Sequence, residues 1–231
     1  MSTGPALPQV WACLASSLDG RIAETGHGAP QFTSRYDLEK LFSLRARVDA
    51  LLIGGNTVRS EKLPPLVRNK NRVEERKSQG LPDHPLAVVV SQSLNLPWSS
   101  SYFSGENGQK VGVMSSISEQ DAPAAMKKLG VAIVDGGNPF SLRTGLANLY
   151  KMGCRQVLAE GGGGLIHSLL DDGLIDRFYL TIAPTFIGGK ETPLLCRGDL
   201  LKPRPLFEIA ACEQVHGELH IEYHATRDCS K

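Results

Sequence analysis

One carboxylate followed by four glycines, Glu160-Gly161-Gly162-Gly163-Gly164, is the stretch of this 231-residue sequence best suited to chemistry. Glycine loses more freedom on ordering than any other residue, so a fold keeps a run of glycines where side chains would collide with something lying close against the backbone. The apolar run Val157-Leu158-Ala159 before it reads as a buried strand. Leu165, Ile166, Leu169, Leu170 and Leu174 after it recur at helical spacing. Strand, glycine bend and helix start therefore follow one another. The free N–H groups and positive dipole end of such a start suit a phosphate, and open α/β sheets bind ligands at the carboxyl ends of their strands, where Glu160 falls. The plain alternative is a tight strand-to-helix connection that holds no ligand.

Other chemistries find less support. The dinucleotide fingerprint G-x-G-x-x-G lacks its third glycine, because that position is Ile166 or His167, depending on the starting glycine. A P-loop fails as well, since Glu191 follows Gly189-Lys190 and Pro184 stands at the first glycine's position. There is no G-x-S-x-G elbow for acyl transfer. His216, Glu218, His220, Glu222 and His224 would share one face of a strand, as metal ligands can, but Leu219, Ile221 and Tyr223 on the other face make this ordinary half-buried alternation. No metal is expected. His216-x-Glu218 also opens like a zinc deaminase motif, yet no Pro-Cys-x-x-Cys follows it.

The elements that must position the glycine bend are legible in outline. Val10 to Leu18 is an apolar run ending in the turn former Asp19-Gly20, and the small residues Ala15, Ser16 and Ser17 would alternatively let a flat ring approach the strand end. Thr33 and Ser34 can cap a helix with Asp37 in its first turn, Leu38, Leu41, Phe42, Leu44 and Val48 along its buried stripe, and Arg45 and Arg47 in its last turn. A strand over 50–53 then stops at Gly54-Gly55-Asn56-Thr57. Residues 60–85 read as a long charged loop, with Arg68 behind Leu66-Val67 and able to turn inward. Strands over 86–90, 111–114 and 131–134 and helices over 121–129 and 141–152 alternate. Gly173 ends the helix after the glycine bend, and strands over 176–184, 206–215 and 218–226 close the chain. This pattern is an α/β fold with a largely parallel sheet.

Twenty-five basic against 24 acidic side chains leave a net charge of +1, which gives no electrostatic case for nucleic acid or a membrane surface. A small-molecule partner is expected. Residues 1–9 carry no signal-peptide pattern and no run approaches about 18 apolar residues, so a soluble, cytoplasmic protein is expected. Its five cysteines show no C-x-x-C spacing and read as reduced thiols. The division expected is an N-terminal tail over 1–9, one domain over 10–227 and a C-terminal tail over 228–231.

Ser17-Leu18-Asp19-Gly20-Arg21-Ile22-Ala23, Gly55-Asn56-Thr57-Val58-Arg59, Glu160-Gly161-Gly162-Gly163, Gly173-Leu174-Ile175-Asp176, Ile182-Ala183-Pro184 and Gly188-Gly189 occur in an order that resembles the pyrimidine reductase family of riboflavin biosynthesis, from about Val10 to Thr226. The stretch from Glu160 to Lys190 looks most like the stand-alone reductases, and the fused deaminase half is absent. The resemblance implies a dihydrofolate-reductase-like α/β fold: a mostly parallel central sheet, flanking helices and antiparallel C-terminal strands. It also implies NADPH as hydride donor, a homodimer, and reduction of a ribosylamino pyrimidine phosphate at the ribose C1 to the ribityl product. The nicotinamide then carries the difficult chemistry and the protein positions the reactants.

By that resemblance Gly161, Gly162, Gly163, Gly164, Leu165, Ile166, His167 and Ser168 hold the cofactor's pyrophosphate, with Ala15, Phe32, Thr57, Glu61 and Gln92 also at cofactor positions. Arg45, Pro65, Arg68 and Glu160 fall at substrate positions, where guanidinium suits a phosphate and Glu160 would bind sugar or pyrimidine donors and assist proton movement. The sequence departs from relatives at four places: Cys13 stands where bifunctional relatives commonly have a lysine, Glu61 replaces an aspartate, Lys62-Leu63-Pro64-Pro65 replaces the usual acidic-proline pattern, and Ser91-Gln92-Ser93-Leu94-Asn95 lacks their later arginine. A 2′-phosphate favours cations, so the last departure bears on NADPH against NADH. Two alternatives stay open: reduction of a pterin such as dihydrofolate on the same scaffold, and a non-catalytic nucleotide-binding homologue.

Overall fold

A computed structural model of the chain describes residues 4–24, 32–61, 63–105 and 108–226. The chain forms two compact units. One holds the chain up to Gln9 together with Phe42–Leu158, and the other holds Val10–Leu41 together with Ala159 onward.

The first unit is the parallel part of the α/β architecture. Strands β2 (Ala50–Gly54), β3 (Leu86–Val90), β4 (Val111–Ser115) and β5 (Ala132–Asp135) pair in parallel in that order, and β6 (Gln156–Ala159) flanks β2. Their β-branched apolar runs suit strands buried on both faces, and every residue of β4 is buried. One layer of the core joins Ile53, Val58, Val89, Val113, Tyr102, Phe103 and Met126. After the short helix α4 (Ala124–Lys128), helix α5 (Leu142–Lys151) is capped by Ser141, whose side chain accepts the Thr144 N–H, as its sequence suggests. It lies very close to the sheet: a Cβ on Gly145 would come within 2.3 Å of Met114 Sδ, so a larger residue there requires the Met114 side chain to move.

The second unit carries the antiparallel strands. β1 (Gln9–Ser16) pairs in parallel with β7 (Arg177–Ile182), β7 pairs antiparallel with β9 (Glu218–Ala225), and β9 with β8 (Phe207–Val215). Helix α6 (Gly163–Asp171) follows the glycine bend and buries Leu165, Ile166 and Leu169. Gly173, with φ of +60°, ends it in the left-handed conformation that glycine adopts without penalty. The fold is therefore the expected one, with a mostly parallel sheet and antiparallel C-terminal strands.

Three local expectations are corrected. Residues 60–85 are not one long loop, because Lys70–Ser78 forms helix α3, with Asn69 accepting the Asn71 N–H at its start. Nor is the charged stretch wholly solvated: Arg76 is 1% exposed and donates to Ala46 O at 3.0 Å, Val48 O at 2.8 Å and Pro82 O at 2.8 Å. Burial pulls its guanidinium below its ordinary pKa, and the carboxylates of Asp49 and Asp83 oppose that. Helix α1 (Arg35–Ala46) closes before Arg47. The Ser34 hydroxyl ahead of it donates to Glu218 at 2.6 Å.

The row of alternating His and Glu residues in β9 has partners of its own. Glu218 accepts both the N–H and the hydroxyl of Ser34, His220 Nδ1 lies 3.0 Å from Thr181 Oγ1, and Glu222 meets Arg177 and His224. These side chains tie α1's entrance and β7 to β9. Among the described residues, Cys13, Cys154, Cys196 and Cys212 form no disulfide, whereas Cys229 lies outside the described residues.

Candidate active site

In the second unit the glycine bend is shaped by two different constraints. Gly161 has φ of +108°, a conformation other residues reach only with strain. Gly163 is required by the chain itself: a Cβ there would lie 2.1 Å from Leu194 O, a backbone atom that cannot rotate away. Part of what lies close against the glycines is thus the protein, not a ligand. Gly164 differs, for its Cβ would meet nothing nearer than Arg197 O at 4.0 Å.

Helix α6 starts at this bend. The N–H groups of Leu165 and Ile166 both donate to Gly162 O, at 3.0 and 3.2 Å, and their side chains are buried. Their N–H groups and side chains are thus engaged within the protein. Ser168 donates its hydroxyl to Gly164 O at 3.1 Å, and His167 Nε2 lies 2.7 Å from Asp199 O. Both side chains therefore have structural tasks. What remains for an anion are the N–H groups of Gly163 and Gly164, which find no acceptor among the described residues. They face the positive end of a nine-residue helix. Glu160, half-buried, follows β6 directly and stands just before them in the chain.

A strap holds this bend in place. Arg197 N–H donates to Gly163 O at 3.1 Å, Leu195 N–H to Gly20 O at 3.0 Å and Ile22 N–H to Pro193 O at 2.9 Å. The strap is organised by a residue that the sequence presents only as a turn former. Asp19 accepts the Ser17 hydroxyl at 2.6 Å and the N–H groups of Ile187 at 3.1 Å and Gly188 at 2.8 Å. Those bonds to the ionised form, led by Ser17, lower its pKa to about 2. Ala15 is half-buried and stands beside Thr181 in the β1–β7 register, and Phe32 is half-buried just ahead of Ser34.

In the first unit the expected residues fall at opposite ends of the parallel strands. Thr57, in helix α2 (Gly55–Glu61), and Gln92, two residues beyond β3, lie where β2 and β3 finish. Glu61 ends α2 and is exposed. Arg59 of α2 donates to Asn95 O at 2.6 Å and also meets Asn56 Oδ1, so a cation stands beside the 91–95 loop after all, supplied from another element. Arg45, Pro65 and Arg68 gather where the strands begin. Arg45 Nη1 donates to Leu66 O at 3.4 Å, Pro65 is buried, and Arg68 is exposed and not turned inward. Across five-residue strands the two groups are separated by roughly 15 Å. The residues expected at cofactor positions and those expected at substrate positions thus lie at opposite ends of these strands.

Among the described residues, no helix is long and apolar enough to cross a membrane and no cluster of three or more His, Cys, Asp or Glu is arranged around a metal. Comparison with known proteins adds the family. Residues 8–221 match the model of the RibD C-terminal domain. The 2,5-diamino-6-ribosylamino-4(3H)-pyrimidinone 5′-phosphate reductase of Archaeoglobus fulgidus is 31% identical over 192 residues, covering 83% of this chain and 87% of that one. Among solved structures, a pyrimidine reductase-like protein from Corynebacterium diphtheriae superposes with a TM-score of 0.81 at 23% identity, covering 96% of this chain and 93% of that one. Dihydrofolate reductase from Enterococcus faecalis shares the fold at a TM-score of 0.50 and 15% identity, covering 94% of this chain and 96% of that one.

Proposed function

The chain belongs to the RibD C-terminal domain family, and on that basis we propose that it reduces a ribosylamino pyrimidine 5′-phosphate with NADPH, converting the ribosyl to the ribityl side chain. That it is an oxidoreductase of the riboflavin pathway follows from its relatives, and such reductases use a nicotinamide cofactor. The observation that carries the finer reading is the start of α6, where two unclaimed glycine N–H groups follow one carboxylate. These N–H groups suit the cofactor's pyrophosphate. The small side chain of Ala15 leaves room for a flat ring.

When bound, the reduced nicotinamide supplies the hydride. Glu160 accepts hydrogen bonds from the substrate's hydroxyl or amino groups at its carboxylate oxygens and assists proton movement there. The guanidinium of Arg68 takes the 5′-phosphate through paired N–H donors. Arg59, beside the 91–95 loop, supports NADPH over NADH because a 2′-phosphate favours a cation. A homodimer agrees with the long edge strand β8, whose Ile209 is more than half exposed, as is Leu206 just before it, and a cytoplasmic setting is part of the same reading.

The test is spectrophotometric. Loss of the reduced-nicotinamide band near about 340 nm is followed with the ribosylamino pyrimidine phosphate and, separately, with dihydrofolate. Oxidation only with the pyrimidine supports the proposal. Oxidation only with dihydrofolate makes the chain a pterin reductase, and cofactor binding without turnover of either makes it a non-catalytic homologue.

A further inference from the structure

Pro65, Leu66 and Val67 each have a backbone group held by a side chain from a different part of the first unit. Gln109, buried just before β4, donates through Nε2 to Pro65 O at 3.2 Å and to Pro85 O at 3.1 Å. Arg45, in the last turn of α1, donates to Leu66 O. The Val67 N–H donates to Nδ1 of His84 at 3.3 Å. The residue after these three, Arg68, is exposed.

Proline chemistry explains why side chains take this part. Pro65 and Pro85 have no N–H, so neither can serve the other's carbonyl as strand neighbours do. A primary amide has two N–H bonds and meets both carbonyls at once, which also dictates that its nitrogen, not its oxygen, faces them. An imidazole accepts at Nδ1 only when that nitrogen carries no proton. Loop backbone normally turns to water. Here two consecutive peptides are fixed by three side chains from different parts of the unit, an over-determination that suits a segment whose next side chain must be aimed.

We propose that Gln109, Arg45 and His84 form a three-point clamp that positions Arg68 for the anionic group of the substrate. This rests on the reading of Arg68 as the phosphate-binding cation and adds Gln109 and His84 as positioning residues for it. Without the clamp the charge of Arg68 persists, but the segment must be ordered each time substrate binds.

The experiment uses the full chain with Gln109→Leu, which keeps the side-chain bulk and removes both donors. KM for the phosphorylated substrate is expected to rise about tenfold while kcat and the KM for NADPH hold, and the KM for the same substrate without its 5′-phosphate should not move. In an Arg68→Ala background, Gln109→Leu should add nothing further, because both act through one contact. Equal losses with and without the phosphate, or additive losses in the double variant, would overturn the clamp. If Gln109→Leu does not fold, His84→Ala tests the same segment through Val67, with the same phosphate-dependent rise expected and an unchanged KM overturning it. A wild-type chain that reduces no ribosylamino pyrimidine sinks the functional reading instead. An active wild type with an indifferent Gln109→Leu sinks only the clamp.

Discussion

Replacing Gly164 by alanine separates the demands of the fold from those of a ligand. The added Cβ would stand 4.0 Å from Arg197 O, ordinary van der Waals contact, and Gly164 lies in the first turn of α6. Alanine exceeds glycine in helix propensity by up to about 1 kcal/mol, so Gly164→Ala should unfold in urea at the wild-type midpoint or slightly above it. Gly163→Ala provides the contrast. Its Cβ would lie 2.1 Å from Leu194 O, so the strap must retreat by about 1 Å and the Arg197 N–H bond to Gly163 O is lost, a cost of about 1–3 kcal/mol that outweighs the propensity gain. If a pyrophosphate sits on the Gly163 and Gly164 N–H groups, the methyl at 164 also obstructs its approach. NADPH affinity should then fall at least about tenfold, or about 1.4 kcal/mol, in a protein whose stability is intact. Titration calorimetry beside a urea curve reads both quantities. A Gly164→Ala protein that folds and binds NADPH like wild type would refute the placement of the cofactor at this helix start.

Other perturbations test separate parts of the account. Arg76→Met leaves the buried carbonyls of Ala46, Val48 and Pro82 without a donor and should cost about 3–5 kcal/mol in urea unfolding, whereas a loss below about 1 kcal/mol would mean that these groups are satisfied otherwise. Asp19 is held at about 2, below the ordinary carboxylate value, so the unfolded chain binds more protons on acidification. Its stabilising effect is complete above about pH 4 and is lost as pH falls toward 2; the stability gap between wild type and Asp19→Asn should close over that window, and a gap independent of pH would contradict the assignment. Glu160→Gln should lower kcat by about 10²-fold or more with NADPH affinity retained, measured by steady-state kinetics, and a change in cofactor affinity alone would remove Glu160 from the chemistry.

Much of this architecture is legible in the residues because strands buried on both faces leave unbroken apolar runs. Leu86 to Val90 and Val111 to Met114 are such runs, and Gly173 marks the end of α6. Helix α3 escapes because Lys70–Ser78 is almost wholly polar and its buried residue is an arginine, so no apolar stripe announces it. The glycine run reveals that something lies close to the backbone, but not that at Gly163 the neighbour is Leu194, distant in sequence. Asp19 presents itself only as half of an Asp-Gly turn. Its bonds to Ile187 and Gly188 span 168 and 169 residues, and local propensity carries no trace of them. Gln109 is equally silent, since a lone amide acquires its task only when the fold brings two proline carbonyls to it.

The central claim is that this chain delivers a hydride from NADPH to the sugar carbon of a ribosylamino pyrimidine phosphate. It is tested most directly with NADPH carrying deuterium at both hydrogens of the nicotinamide C4, followed by mass spectrometry and NMR of the pyrimidine product. The account predicts one deuterium on C1 of a ribityl chain, whichever face of the nicotinamide is used. Product without deuterium at that carbon, or cofactor left unoxidised beside intact substrate, would contradict it.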